Sequence, residues 1–136
     1  ALVVLTLLAV VAIRSATLGL RIGGNAQAAL EAEAAAQAGI DRFLSNIANF
    51  ETPPSNNTFE NITIGGRTYR VTIAPPSCKG SVTAPGYSLV IKPGGGAPVD
   101  QVWQISATAT QSLFGASVGV VQGVKVRMPV GTACPN

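Results

Sequence analysis

Residues 1–13 read ALVVLTLLAVVAI, an uncharged run in which Thr6 is the only polar residue. The chain then presents Arg14, and apolar character resumes at Leu18. We expect the run to differ from a secretory signal peptide, which has a basic leader and ends at a small-residue cleavage site. We therefore expect Ala1 to be a processed N-terminus. We also expect the apolar helix to be buried either in a bilayer or in the core of a polymer.

The composition separates an Ala-rich first part from a turn-rich second part. Residues 1–52 contain no proline, whereas all 9 prolines and most of the 15 glycines follow them. A length of 136 residues accommodates one domain plus an extension. We predict an apolar half-helix over 1–24 and a globular head over 25–136, with a second half-helix at 25–52 and a β-sheet at 59–130.

The net charge of +3 is distributed unevenly between these two parts. Residues 1–52 hold three arginines against four acidic residues, a net charge of −1, and residues 53–136 hold six cations against two acids, a net charge of +4. A mildly basic head attracts DNA or anionic surfaces weakly and without sequence specificity. Because the six cations are scattered along the sequence, we interpret them as a solvated surface.

Beyond residue 24, Ala, Glu, Gln and Leu favour helix. Apolar residues recur there at three- and four-residue steps, which predicts an amphipathic helix facing the sheet: Ala36, Ile40, Phe43, Ile47 and Phe50. Thr52-Pro53-Pro54 is expected to end it. A helix of about 51 residues would be about 77 Å long, so its first half must project from a small head.

Three glycines in six residues interrupt this helical pattern at Gly19–Gly24. Each weakens a helix by roughly 1 kcal/mol relative to Ala. We therefore predict a kink, a melted turn or an extended segment at this point. Gly19 and Gly23 also have the GxxxG spacing that lets helices approach closely in an apolar medium, and the packing and helix-breaking interpretations are both open.

After residue 54 the pattern changes to short strands and turns. Asn61–Ile64 and Arg67–Ile73 flank Gly65-Gly66, which predicts a two-residue β-hairpin. Further strands are predicted at Tyr87–Lys92, Gln101–Thr110 and Ala116–Met128. The sequence thus predicts an α+β fold, with the amphipathic half-helix covering one face of a four- to five-stranded antiparallel sheet.

Alternation within these strands identifies candidate core residues. In the second strand of the hairpin, Tyr69, Val71 and Ile73 share one face. The fourth strand contributes Val102, Trp103 and Ile105 as further candidates, and the fifth includes four valines: Val118, Val120, Val124 and Val126.

The two cysteines, Cys78 and Cys134, are most simply explained as one disulfide in an exported chain. It would close a loop of about 56 residues and stabilise the fold by roughly 4 kcal/mol. The alternative is a pair of free thiols. Since Cys134 is two residues from the end of the sequence, a bridge would hold a terminus that otherwise frays.

The sequence offers no catalytic constellation. It contains no histidine, and Gly94–Gly96 lacks the lysine of a phosphate-binding loop. Glu31 and Glu33 are two residues apart and therefore point in different directions on a helix. We expect no catalytic, cofactor-binding or metal-binding residues, no small-molecule substrate, and no enzymatic activity.

These features together resemble the type IV pilin family, closest in character to its minor pilins and pseudopilins. The resemblance is carried by the apolar run 1–13, the glycines near residue 20, the sheet and the cysteine pair. The stretches Ala28–Asp41 and Trp103–Thr110 resemble the minor-pilin branch. The resemblance to this family implies a helical filament of this chain and other pilins, an inner-membrane anchor before assembly, and a disulfide between Cys78 and Cys134.

One position departs from the family pattern. Most pilins carry a glutamate at the fifth mature residue, thought to pair with the N-terminal amine of a neighbouring subunit, and here that residue is Leu5. Either the amine reaches a polar partner such as Thr6 or a backbone carbonyl, or methylation and helix packing reduce the cost of burying it. The departure leaves open whether the chain is a main or an accessory subunit.

Arg14 and Arg21 are charges within an apolar helix, which marks a functional position. We expect both to pair with Glu31 or Glu33 of a neighbouring subunit; the alternative is that Arg14 reaches lipid headgroups before assembly. The full expected assembly surface lies on the N-terminal helix: Leu2, Leu5, Leu8, Arg14, Gly19, Arg21, Gly23, Glu31 and Glu33.

The first functional hypothesis is a structural subunit of an extracellular type IV pilus-like filament, with adhesion, motility or DNA uptake as roles that the resemblance implies. The second is an accessory minor pilin or pseudopilin that primes or caps a filament or secretion pseudopilus. A monomeric membrane-anchored domain is a third hypothesis. Arg14 argues against it, because it would place a charge within the membrane-spanning helix.

Overall fold

The computed structural model describes residues 2–86, 96–113 and 115–135. Helix α1 is followed by a short second helix and five strands. Their bounds are α1 Leu2–Leu44, α2 Ala48–Glu51, β1 Thr58–Ile64, β2 Arg67–Ile73, β3 Ser77–Thr83, β4 Val99–Thr110 and β5 Ser117–Met128. The α+β class, the long N-terminal helix and the five-stranded antiparallel sheet agree with the sequence prediction.

Helix α1 is continuous through Gly19–Gly24, so this segment is neither melted nor extended in the structure, and the alternative of a kink stays a prediction. Glycine lowers helix stability without removing a backbone hydrogen bond, and strong helix formers flank these three glycines on both sides. A Cβ added at any of the three would have no neighbouring atom within 4 Å. The segment therefore remains helical although no packing within the described residues supports it.

The end of α1 lies earlier than the sequence pattern predicted. The helix stops at Leu44, where the Asn49 side chain donates a 2.8 Å hydrogen bond to the Phe43 carbonyl and the Asn46 side chain accepts from the Ala48 amide at 3.1 Å. Asparagine side chains compete in this way with the helical backbone. Ile47 consequently lies in the turn and is half exposed, which corrects its predicted place in the core.

Strand β4 is the centre of the sheet. Its whole length pairs with β5, while β2 and β3 share its other edge, β2 along Ala107–Thr110 and β3 along Val99–Gln104. Strand β1 pairs with β2 through the two-residue turn at Gly65 and Gly66, whose φ angles of 57° and 78° suit glycine. The predicted hairpin is therefore confirmed, and β1 begins three residues earlier than expected.

Strand β3 was not predicted, whereas the predicted strand at Tyr87–Lys92 lies outside the described residues, as do positions 93–95 of the following loop. The sequence of β3, SCKGSVT, has no apolar alternation, and nearly all of it is exposed. Its strand conformation depends on pairing with β4, with a register shift between Cys78 and Gly80.

The core lies between the sheet and the C-terminal half of α1. Ala28, Ala32, Ala35 and Ala36 allow the helix backbone to approach the sheet closely, and Ile40 and Phe43 fill the space beyond. The sheet contributes Ile62, Tyr69, Val71, Ile73, Trp103, Ile105, Ala107 and Ala109. Of the predicted core residues in β4, Trp103 and Ile105 are confirmed, but Val102 lies on the outer face and is 42% exposed.

Candidate functional site

The N-terminal part of α1 makes no core contact. Every residue from Leu2 to Gln27 is exposed, and the first buried residue of the helix is Ala28. At 1.5 Å per residue, this exposed segment is about 39 Å long. We call Leu2–Gln27 the projecting half-helix.

The surface of the projecting half-helix is strongly apolar. Leu2, Leu5 and Leu8 are 79%, 68% and 64% exposed, and nine further large aliphatic side chains up to Ile22 are exposed with them. Burying twelve such side chains would contribute on the order of 20 kcal/mol before the costs of association. An exposed apolar surface of this extent marks a membrane or protein interaction site.

The hydroxyl groups of the projecting half-helix are bonded within the helix. Thr6 donates to the carbonyls of Leu2 and Val3 at 3.2 and 2.9 Å, and Thr17 donates to those of Ile13 and Arg14 at 2.7 and 3.0 Å. These threonines therefore enter an apolar environment with their protons already satisfied. Ala1 is outside the described residues, so the expected contact of its amine with Thr6 has no structural counterpart here.

Arg14 and Arg21 lie two turns apart on one side of the helix. They border a single hollow of about 240 Å³, with Thr17 and Leu18 between them. Within the described ranges neither guanidinium forms an ion pair. Two charges in an apolar surface without a counterion require either water or an external anionic partner.

Gly19 and Gly23 lie exposed on the same segment, and nothing within the described residues packs against them. Their sequence spacing is compatible with close helix approach, but the structure brings no second helix to them.

Glu31 and Glu33 differ completely in environment. Glu31 accepts hydrogen bonds from the Tyr69 hydroxyl at 2.7 Å, from Gln27 at 2.9 Å and from Arg67 at 3.1 Å. Glu33 is exposed and forms no ion pair with any other described residue. Glu31 is thus engaged by its own chain, and Glu33 is the member of the pair that remains accessible to another molecule.

The hydrogen bond from Tyr69, followed by that from Gln27, holds the pKa of Glu31 below its ordinary value. Burial, followed by the hydrogen bond to Glu31, raises the pKa of Tyr69. The bonds from Arg67 and Tyr69 also attach the β1–β2 hairpin to the helix. The hairpin turn lies so close to Glu31 that a Cβ added at Gly65 would be 2.8 Å from Glu31 Oε1. Sequence reasoning missed this cluster since its members are 36 and 38 residues apart along the chain.

A second polar cluster holds the far end of the head. Asp100 is buried and receives two hydrogen bonds, at 2.8 and 3.2 Å, from Arg127 directly opposite on β5, which lowers the pKa of Asp100. The Gln101 side chain accepts from the Trp103 indole and donates to the Thr132 carbonyl, each at 3.1 Å. The C-terminal segment is thereby attached to β4.

The disulfide between Cys78 and Cys134 is present, with 5.6 Å between the two Cα atoms. It joins β3 to the C-terminal segment close to the Gln101–Thr132 contact. Together these contacts connect β3, β4 and the terminus into one unit.

Among the helices that the structure describes, α1 alone has the length and apolar composition needed to cross a membrane. The described residues contain no group of three or more His, Cys, Asp or Glu side chains arranged to hold a metal ion. The features that remain to be explained functionally are therefore the projecting half-helix and its two arginines.

The fold and this surface define a class: a small disulfide-linked α+β head carried on a long apolar helix that extends beyond it. No protein-family model, curated protein or solved structure compared with this chain matches it.

Proposed function

We propose that the chain is a structural subunit of an extracellular filament of the type IV pilus kind, which polymerises through the projecting half-helix. The observation that carries this proposal is the continuity of α1. One continuous helix joins a core-packed segment that begins at Ala28 to an apolar segment of about 39 Å that no other described residue covers. Helices of this kind can bundle into a filament core while their heads form the outer layer.

The architecture is compatible with this proposal. A long N-terminal apolar helix lies on an antiparallel sheet, and a disulfide attaches the C-terminal segment. This is the arrangement that the resemblance to pilins implies. The filament would contain copies of this chain and other pilins, and adhesion, motility and DNA uptake are the roles it would serve.

Before assembly, the same helix would anchor the chain in the inner membrane. The first twenty residues of α1, 2–21, are about 30 Å long, which matches the hydrocarbon thickness of a bilayer. Arg14 would then lie about 20 Å from the start of the helix, where an unpaired charge is unfavourable unless its side chain reaches the headgroups. Transfer from bilayer to filament would be favoured if the filament supplies an acidic partner.

A second candidate is an accessory minor pilin or pseudopilin that primes or caps a filament or secretion pseudopilus. Leu5 favours it, because this exposed apolar side chain occupies the position where most pilins present an acid. The first acid of the chain, Glu31, is already bonded to Tyr69 and Arg67. Neither residue offers a charge to a neighbouring N-terminal amine.

The proposal is tested by placing a charge in the apolar surface. Leu8→Asp should abolish filaments of the full chain seen by electron microscopy, because a carboxylate would be buried without a partner in the filament core. Leu113→Asp is the matched control, since Leu113 is an 82% exposed leucine on the head. We expect that variant to assemble normally.

Filaments that form equally well with Leu8→Asp would contradict the proposal. Gold labelling of an epitope on the head separates the two candidates. Label along the whole filament supports the main-subunit role, and label at one end supports the accessory role.

A further inference from the structure

We infer that Arg14 and Arg21 of one copy bind Glu33 and Asp41 of a second, parallel copy displaced by about 29 Å along the helix axis. This inference rests on the proposed filament and adds to it a contact register. It also revises the partner expected from sequence, replacing Glu31 with Asp41.

The spacing of the charges on α1 defines this register. Arg14 and Glu33 are 19 residues apart, and Arg21 and Asp41 are 20 residues apart, which correspond to about 29 and 30 Å of helix. One displacement therefore brings both arginines opposite an acid at once. The four acids of the first part are Glu31, Glu33, Asp41 and Glu51, and no other pair of them matches the two arginines as closely.

The four side chains are accessible for this contact. Arg14, Arg21, Glu33 and Asp41 are all exposed, and none forms an ion pair with another described residue. Asp41 accepts one hydrogen bond from Gln37 at 3.2 Å, which leaves acceptor capacity on its carboxylate. Glu31, by contrast, already has three donors within its own chain, one of them the arginine Arg67.

The faces of the helix decide what kind of assembly follows. At 100° per residue, the two arginines share the side of α1 that packs on the sheet farther along, whereas Glu33 lies about 110° and Asp41 about 170° away from them. We call the side of the helix that carries the two arginines the arginine face and the side that carries Glu33 and Asp41 the acidic face. The sheet therefore does not block the acidic face. Because both acids lie more than a quarter of a turn from the arginines, and the contact joins different levels of the two helices, one copy cannot exchange both contacts with the same partner.

Such a contact is heterologous, with the arginine face of one copy on the acidic face of the next. Each copy keeps one free face of each kind, so addition continues in one direction and does not close at a dimer. An exposed leucine, Leu30, lies on the acidic face just before Glu33, and the exposed Ala34 lies on it between Glu33 and Asp41. They offer apolar surface to the half-helix of the neighbouring copy.

Cysteine cross-linking of filaments tests the register directly. Val10 and Leu30 are 20 residues apart, on the arginine face and the acidic face respectively, so Val10→Cys with Leu30→Cys should link successive copies. Non-reducing electrophoresis should show a ladder extending well beyond the dimer. The control, Val3→Cys with Leu30→Cys, uses the same two faces with the spacing changed by two turns, and it should give no ladder.

A ladder from the control pair, or its absence from the test pair in intact filaments, would overturn the register without affecting the proposed function. Absence of filaments from the wild-type chain would overturn both.

Charge reversal provides a second test that needs no cysteine. Arg14→Glu with Arg21→Glu should lower filament yield roughly tenfold or more, since two attractive pairs become repulsive. Adding Glu33→Arg and Asp41→Arg to the same chain should restore it. Circular dichroism should show that both variants remain folded. Unchanged filament yield in the first variant would contradict the inference, and so would failure of the second variant to restore assembly. Loss of binding to anionic lipid vesicles in the first variant, with filament yield unchanged, would instead identify headgroups as the partner of the arginines.

Discussion

The role of Glu31 in the structure differs from the role that its sequence position predicts. As a carboxylate on a long helix, it was a natural counterion for an arginine of another subunit. In the folded head it accepts from Tyr69, Gln27 and Arg67 and supports the hairpin turn at Gly65. Its role is therefore to hold the β1–β2 hairpin on α1.

The lowered pKa of Glu31 predicts a pH-dependent stability. A carboxyl group whose pKa is depressed by folding stabilises the native state above its ordinary pKa, and this contribution is lost as the pH falls through the folded value. The wild-type chain should thus unfold at higher denaturant concentration than Glu31→Gln at neutral pH, and the difference should shrink as the pH falls below 4.5. Urea unfolding of both proteins across this range measures it.

Glu33→Gln is the control for that comparison. Because Glu33 is exposed and has no ion pair in the described chain, its replacement should change the free energy of unfolding by less than about 0.5 kcal/mol at neutral pH. An equal effect of the two substitutions would show that the Glu31 cluster does not stabilise the head.

At the scale of elements, the contact between α1 and the sheet depends on small residues. Gly39 lies so close to β2 that a Cβ there would be 2.7 Å from Val71 Cγ1. Gly39→Ala should therefore destabilise the head by about 1–3 kcal/mol through overpacking, although alanine favours helix. Thermal or chemical unfolding of the purified protein measures the change.

A double-mutant comparison isolates the cause. In a Val71→Ala background the clash is removed, and Gly39→Ala should become neutral or stabilising by up to about 1 kcal/mol. Gly24→Ala is the matched helix control, since nothing lies within 4 Å of its added methyl group. If Gly39→Ala were equally harmful in both backgrounds, the close approach to Val71 would not be its cause.

The elements also show which features a sequence can predict. The hairpin follows from Gly65-Gly66 and from alternation in β2, and β4 and β5 follow from their runs of apolar residues. Strand β3 has no such pattern, because its conformation comes from pairing with β4. The end of α1 at Leu44 depends on side-chain bonds from Asn46 and Asn49, which hydrophobic periodicity does not register.

Some features of the candidate site could be predicted from the sequence and others could not. The apolar run and its two arginines are evident from the sequence alone, and the structure adds that nothing in the described chain covers them. The difference between Glu31 and Glu33 required coordinates, since Arg67 and Tyr69 approach only when the sheet packs on the helix. The faces of Glu33 and Asp41 could likewise be assigned only once the sheet-facing side of α1 was known.

At the scale of the whole molecule, the disulfide links β3 directly to the C-terminal segment. Its cysteines are 56 residues apart, so Cys78→Ala with Cys134→Ala should lower the free energy of unfolding by about 4 kcal/mol in the chain-entropy description. Since the projecting half-helix is remote from the bridge in the fold, its helical conformation should persist. Denaturant unfolding by tryptophan fluorescence reports the change through Trp103.

The central claim is that the projecting half-helices of many copies form the core of a filament. An electron cryo-microscopy reconstruction of filaments assembled by the full chain tests it most directly. We predict heads on the outside, residues 2–27 buried in the centre, and neighbouring parallel helices displaced by about 29 Å. A reconstruction in which these residues lie outside the core, or a chain that remains monomeric in membranes and forms no filament, would contradict the account.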